Sequence, residues 1–136
     1  MKESKTEIKV RISDTDLWGV VYFANYFRYF GVGIEEFFMS LGIPREELIK
    51  FFEEKKVAMP IVEASCQYKA PARFGDTLEL DTTLKGIGNK KITFEFNLLR
   101  KYDGELIAKG RVTHVLVDEN WKPIEIPKEL KKLLEN

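Results

Sequence analysis

Apolar and charged residues alternate from Thr6 to Ile12, with Ile8, Val10 and Ile12 on one side and Glu7, Lys9 and Arg11 on the other. This period of two predicts a half-buried strand. After a turn-rich stretch, Ser13 to Gly19, the period lengthens. From Asn25 to Leu41 the residues Phe27, Phe30, Ile34, Phe37 and Leu41 recur every three or four positions, which predicts a helix with that stripe as its buried face. Tyr26, Tyr29, Val32, Phe38 and Met39 extend the apolar surface, so the helix is expected to be largely enclosed. Gly31 and Gly33 each cost about 1 kcal/mol in a helix interior, a penalty that close approach of a neighbouring backbone would offset. Pro44 opens a shorter helix, Arg45 to Lys56, whose Leu48, Phe51 and Phe52 among many charges predict a surface helix covering one end of the core.

The second half returns to a period of two. Val62, Ala64, Cys66 and Tyr68 predict one amphipathic strand, and Leu78, Leu80, Thr82 and Leu84 a second. Ile92, Phe94, Phe96 and Leu98 predict a third; Leu106, Ala108, Val112, His114 and Leu116 predict a fourth. The stretch Gly86 to Asn89 and the pair Asp103-Gly104 supply hairpin turns, so these strands are expected as antiparallel neighbours in meander-like succession. Pro123 and Pro127 end the sheet region, and Lys128 to Asn136 predicts a short charged helix. The order is an α+β pattern: one sheet wrapped around one long helix, in a single domain over residues 1–136.

Charge narrows the possible partners. Lysine plus arginine equals aspartate plus glutamate at 22 each, which leaves no net field to collect nucleic acid or an anionic membrane. No window approaches the roughly 18 apolar residues of a spanning helix, so no membrane insertion is expected. Cys66 has no intramolecular disulfide partner, and the charged start, Met1 to Lys9, lacks the apolar run of a signal peptide. The expected location is cytoplasmic.

Candidate chemistry concentrates between the first strand and the long helix, in Ser13-Asp14-Thr15-Asp16-Leu17-Trp18-Gly19-Val20-Val21-Tyr22-Phe23-Ala24-Asn25-Tyr26. This segment resembles the signature of the 4-hydroxybenzoyl-CoA thioesterase family, Asp-x-Asp-x-x-Gly-[Val/Ile]-Val followed by two aromatic or histidine residues and x-[Asn/Ser]-Tyr. A second segment, Tyr68-Lys69-Ala70-Pro71-Ala72-Arg73-Phe74-Gly75-Asp76, is similar to the family's exit from its second strand. The resemblance implies a hot-dog fold, an acyl-CoA substrate cleaved without a cofactor, and a homodimer or dimer of dimers with active sites at the subunit interface. It also implies that Asp16 is the catalytic carboxylate and that the backbone N–H of Phe23 polarises the thioester carbonyl. Amides at a helix start attract the negative charge that develops on a carbonyl oxygen under attack, which agrees with that pairing. Tyr22, Tyr26 and Met59 are candidates to line an acyl pocket. Family members often place basic residues near the Gly86 to Asn89 hairpin, which makes Lys90 and Lys91 candidates for the coenzyme A phosphates. Many bacterial relatives carry histidine where this chain has Phe23; the backbone donor is kept, but Asp16 must carry the proton chemistry largely alone.

Each residue also has a plainer reading. Asp16 suits a turn or an N-cap, and Asp14 a turn or a partner for Arg11. Two carboxylates with no neighbouring histidine or further acid make a poor metal set, so no metal is expected. His114 reads as a hydrogen-bonded core histidine, and Cys66 as a small buried hydrophobe. Rival functions are an acyl-carrier-protein thioesterase, a hot-dog dehydratase, and a non-catalytic acyl-binding protein.

Overall fold

Five strands and three helices form in the order β1 (Glu3–Lys9), α1 (Asn25–Ser40), α2 (Arg45–Lys55), β2 (Ile61–Tyr68), β3 (Thr77–Ile87), β4 (Lys91–Arg100), β5 (Leu106–Val115) and α3 (Lys128–Glu135). The structure, a computed structural model, describes residues 2–135, so Asn136 of the expected last helix lies outside the described residues. β1 starts and ends earlier than the alternation Thr6 to Ile12 predicts. The chain leaves the sheet at Val10, which exchanges backbone hydrogen bonds with Gly75 and Asp76. The Asp14 carboxylate then accepts the Arg11 N–H, and Ile12–Asp14 coil into a short 3-10 turn that leaves Ile12 exposed.

The strands make one antiparallel sheet in the order β1-β3-β4-β5-β2. β3, β4 and β5 follow one another through the two expected hairpins, but β2 does not join that meander; it lies beyond β5 at the far edge. The reason lies after Tyr68, where the Lys69 and Ala70 N–H groups both donate to the Ile107 carbonyl. That pairing carries the chain across the end of the sheet instead of turning it back. β1 and β2 are therefore both edges. β1 carries Glu3, Lys5, Glu7 and Lys9 on its exposed side, charges that discourage further pairing. β2 is largely exposed, with only Cys66 half-buried, so the amphipathic face read from Val62 to Tyr68 is not covered within this chain.

The inner face of the sheet packs on α1. Phe30 stacks on Phe96 with ring centres 4.6 Å apart, and Phe37 meets Phe94 edge-on at 5.1 Å. Each such pair contributes about 1 kcal/mol beyond its buried area. The buried face of α1 is Tyr26, Tyr29, Phe30, Gly33, Phe37 and Phe38; of the expected stripe Phe30 and Phe37 are fully buried and Ile34 and Leu41 pack against the core, whereas Phe27 is 37% exposed. Gly33 explains the rotation: a Cβ there would collide with the Thr82 hydroxyl and lie 2.7 Å from Leu80 Cδ2. Seating that glycine on β3 turns Phe27 away. Gly31 has open space around it, so the close approach expected for it is absent within this chain.

The two ends of the sheet differ. At the β3–β4 hairpin, α3 buries Leu130 and Leu134, and the Ile126 N–H donates to the Asn89 carbonyl. At the other end β1 hands over to α1 through a loop whose Asp14 is held by Arg28 and Tyr29 of α1.

Candidate active site

The loop from Asp14 to Ala24 folds on its own backbone. The Asp16 N–H donates to Val20 O at 2.9 Å, the Gly19 N–H to Asp16 O at 3.0 Å, and the Tyr22 N–H to Asp14 O at 2.9 Å. Gly19, at φ +76°, provides the left-handed residue that this reversal needs. The Val21 N–H donates to Ala72 O at 2.8 Å and ties the loop to the segment after β2. That segment is itself held by Arg100, whose buried guanidinium donates to Pro71 O at 2.7 Å and pairs with Asp76, Asp103 and Glu105.

The two acids of the motif face opposite environments. Asp14 is buried, and its carboxylate accepts the Arg11 N–H, the Tyr29 hydroxyl at 2.9 Å and the Arg28 guanidinium. Burial opposes its ionisation, but the Arg11 amide, the Tyr29 hydroxyl and the Arg28 charge outweigh burial and hold its pKa below the ordinary carboxylate value. The expected pairing with Arg11 is therefore through that residue's backbone. Asp16 is half-exposed, and its side chain accepts one local bond, from the Trp18 N–H to Oδ1 at 2.9 Å. Its Oδ2 has no hydrogen-bond partner among the described residues.

Helix α1 starts without a side-chain cap, because Ala24 occupies the N-cap position. The amides of Asn25, Tyr26 and Phe27 bond back to the carbonyls of Tyr22, Phe23 and Ala24. The amides of Phe23 and Ala24 have no acceptor among the described residues. They stand at the positive end of the helix dipole, beside a cleft of about 300 Å³ lined by Val20, Val21, Phe23, Tyr26, Tyr68 and Lys69. Tyr68 donates its hydroxyl to the Phe23 carbonyl at 2.9 Å, and its ring meets that of Tyr26 edge-on at 5.0 Å. Burial pushes the Tyr26 hydroxyl pKa up. Phe23 itself is 59% exposed and its ring packs against Tyr22 at 4.8 Å. A groove of about 360 Å³ on the outer face of β2, β4 and β5 is polar, and none of its lining residues belongs to this loop.

Asp16, Tyr22, Phe23 and Tyr26 thus gather in and beside the loop between β1 and α1. Met59, Lys90 and Lys91 do not join them within one chain. β4 runs ten residues from Lys91 to Arg100, about 30 Å, and the loop lies at its Arg100 end. Met59 sits at the Lys91 end, where its carbonyl lies 3.0 Å from His114 Nδ1. His114 is a core residue as expected, buried against Phe94, and burial lowers its pKa. Cys66 is half-buried with its thiol pKa raised by burial, the setting of an unreactive thiol. Among the described residues no three His, Cys, Asp or Glu side chains cluster as a metal site, and no helix is long and apolar enough to cross a membrane. Neither the Ala24 amide nor the Tyr68 hydroxyl is marked for a role by the sequence. The only sequence signal for Tyr68 is its place at the head of the Tyr68 to Asp76 segment.

One antiparallel sheet curled around one long helix, in this order, defines an α+β hot-dog protein. The chain belongs to the thioesterase-like superfamily, whose family model matches residues 10–134. It is 36% identical to a 1,4-dihydroxy-2-naphthoyl-CoA hydrolase of Nostoc punctiforme, over 93% of this chain and 82% of that protein. An acyl-CoA thioesterase of Haemophilus influenzae is 30% identical over 91% of this chain and 88% of its own. Among solved structures, a gentisyl-coenzyme A thioesterase superimposes with a TM-score of 0.80 at 30% identity, covering 94% of this chain and 99% of that one.

Proposed function

We propose that this chain hydrolyses an acyl-CoA thioester to the free carboxylic acid and coenzyme A. The observation that carries the reading is a half-exposed carboxylate, Asp16, in the same loop as two unpaired amides, Phe23 and Ala24, at the uncapped start of α1. Attack on the thioester carbon moves charge to its oxygen, and amides already oriented by the helix stabilise that charge without reorganising. Asp16 serves as nucleophile, expelling the thiolate to leave an anhydride that water opens, or as general base that takes the proton from attacking water. Hydroxylamine, which traps an anhydride as the Asp16 hydroxamate, separates the two routes. Tyr22 and Tyr26 supply the apolar wall for the acyl group. Two relatives named for aromatic acyl-CoA substrates argue for including aromatic groups in the test panel. The test is hydrolysis of short, long, branched and aromatic acyl-CoA by the native protein and Asp16→Asn. Turnover of at least one that collapses in the variant is expected; no turnover of any, or full kcat in Asp16→Asn, overturns the reading.

The proposed active form is a homodimer or dimer of dimers. β2 is an unpaired edge on which Ile61 and Val62 are each more than half exposed, the kind of edge that a second copy covers. Two-fold pairing of β2 with its copy runs antiparallel and so reverses direction. The Met59 end of one chain then lies beside the Tyr68 end of the other, and Met59, Lys90 and Lys91 approach each site from the second subunit. A stable, active monomer in sedimentation would contradict this.

A further inference from the structure

The start of α1 raises a physical question that the catalytic proposal leaves open. Two amides held free for an oxyanion need a rigid turn, yet the residue at the N-cap is alanine and gives no side-chain bond. Of the local bonds that close this turn, the one onto the Phe23 carbonyl is the longest, from the Tyr26 N–H at 3.4 Å. The same carbonyl accepts a second bond, from the Tyr68 hydroxyl, at 2.9 Å. That donor comes from the last residue of β2, anchored in the sheet by its pairing with Ala108. It is the better bond by distance, and its origin lies in a different element from the helix it holds.

We propose that Tyr68 is a positioning residue for the thioesterase chemistry, its hydroxyl fixing the Phe23–Ala24 peptide so that the two free amides keep a common direction. The proposal rests on the function proposed above. The carbonyl that Tyr68 engages belongs to the same peptide unit as the Ala24 N–H, so a bond at the oxygen withdraws electron density and makes that N–H a stronger donor. One contact therefore both orients and polarises the donor pair. The hydroxyl stays protonated across the neutral range, because a tyrosine's ordinary pKa of 10.0 already lies well above it and the surroundings only raise it further. The ring is held separately, edge-on to Tyr26. Removing the oxygen alone should therefore leave the side chain in place.

Tyr68→Phe makes that removal. We expect kcat on the best acyl-CoA substrate to fall about tenfold, the size of one lost hydrogen bond, with KM changed less than about twofold. The Ala24 amide nitrogen resonance should move in the 15N spectrum while the melting temperature stays nearly constant. A purely structural crosslink would instead lower the melting temperature and leave kcat per folded molecule unchanged. Normal kcat in Tyr68→Phe overturns the proposal, and so does an Ala24 resonance that does not move. Failure here is distinguishable from failure of the function itself: if Asp16→Asn is inactive while Tyr68→Phe is normal, only the positioning role falls. If no acyl-CoA is turned over by the native protein, the function falls, and the Ala24 resonance still reports whether the hydroxyl holds the peptide.

Discussion

The buried side of the strand-to-helix junction, centred on Asp14, and its open side, centred on Asp16, are two residues apart and built in opposite ways. Asp14 has three donors from three different residues and is closed off from water. Asp16 has one local donor, partial exposure and an oxygen to spare. A buried carboxylate with donors on both oxygens fixes structure and is out of a substrate's reach, whereas a half-exposed one with an oxygen to spare can engage a thioester or a water. Under the function proposed, the difference teaches that catalytic capacity in this acidic pair goes with the accessible, unused hydrogen-bonding site and not with the acid type. The same division runs through the amides: those of Tyr22 and Val21 are taken up by the Asp14 and Ala72 carbonyls, and those of Phe23 and Ala24 have no acceptor among the described residues.

The sharpest way to break this comparison is to remove one charge at a time. Asp16→Asn keeps the size and the Trp18 contact but loses the charge, so kcat should fall at least about 10²-fold while KM and melting temperature barely change. Steady-state kinetics on the best substrate reads this directly. Asp14→Asn should do the reverse. It leaves the Arg28 guanidinium facing a neutral amide and should cost about 2 kcal/mol, or roughly 8 °C in melting temperature, while activity per folded molecule is largely retained. If the two variants exchanged these phenotypes, the assignment of roles would be inverted.

Acid titration sharpens the comparison. Both Asp14 and His114 have folded pKa values below their unfolded ones, so each contributes stability above its unfolded pKa that is lost as pH falls towards the folded value. For His114 the loss starts near its ordinary value of 6.5, because the buried ring must be charged; for Asp14 it starts near 3.8, as the three donors lose their anion. Thermal denaturation against pH should therefore show two descending steps. His114→Gln should remove the upper step alone, and Asp14→Asn the lower. A smaller effect is expected at the far end of the sheet: Lys90→Ala with Lys91→Ala should raise KM for acyl-CoA about threefold at low salt and weaken its salt dependence. An unchanged KM would remove both lysines from the site and weaken the case for a site shared between subunits.

Periodicity, with proline and glycine punctuation, locates the five strands and three helices described, β1 a few residues late, because buried faces demand apolar residues at spacings of two or 3.6 whatever the fold. It also isolates the loop that carries Asp14, Asp16 and Phe23, since turn chemistry is local. Three things depended on contacts between distant segments. The stripe of α1 that faces the sheet was decided by Gly33 meeting Thr82 and Leu80, because apolar residues on several sides of a helix leave its rotation open. The position of β2 beside β5, not β3, was decided by backbone bonds to Ile107, which no side-chain pattern encodes. The division between Asp14 and Asp16 is not readable from two acids two residues apart in the chain's own pattern. It exists because Tyr29 and Arg28, a helix away in sequence, reach one carboxylate and leave the other to water.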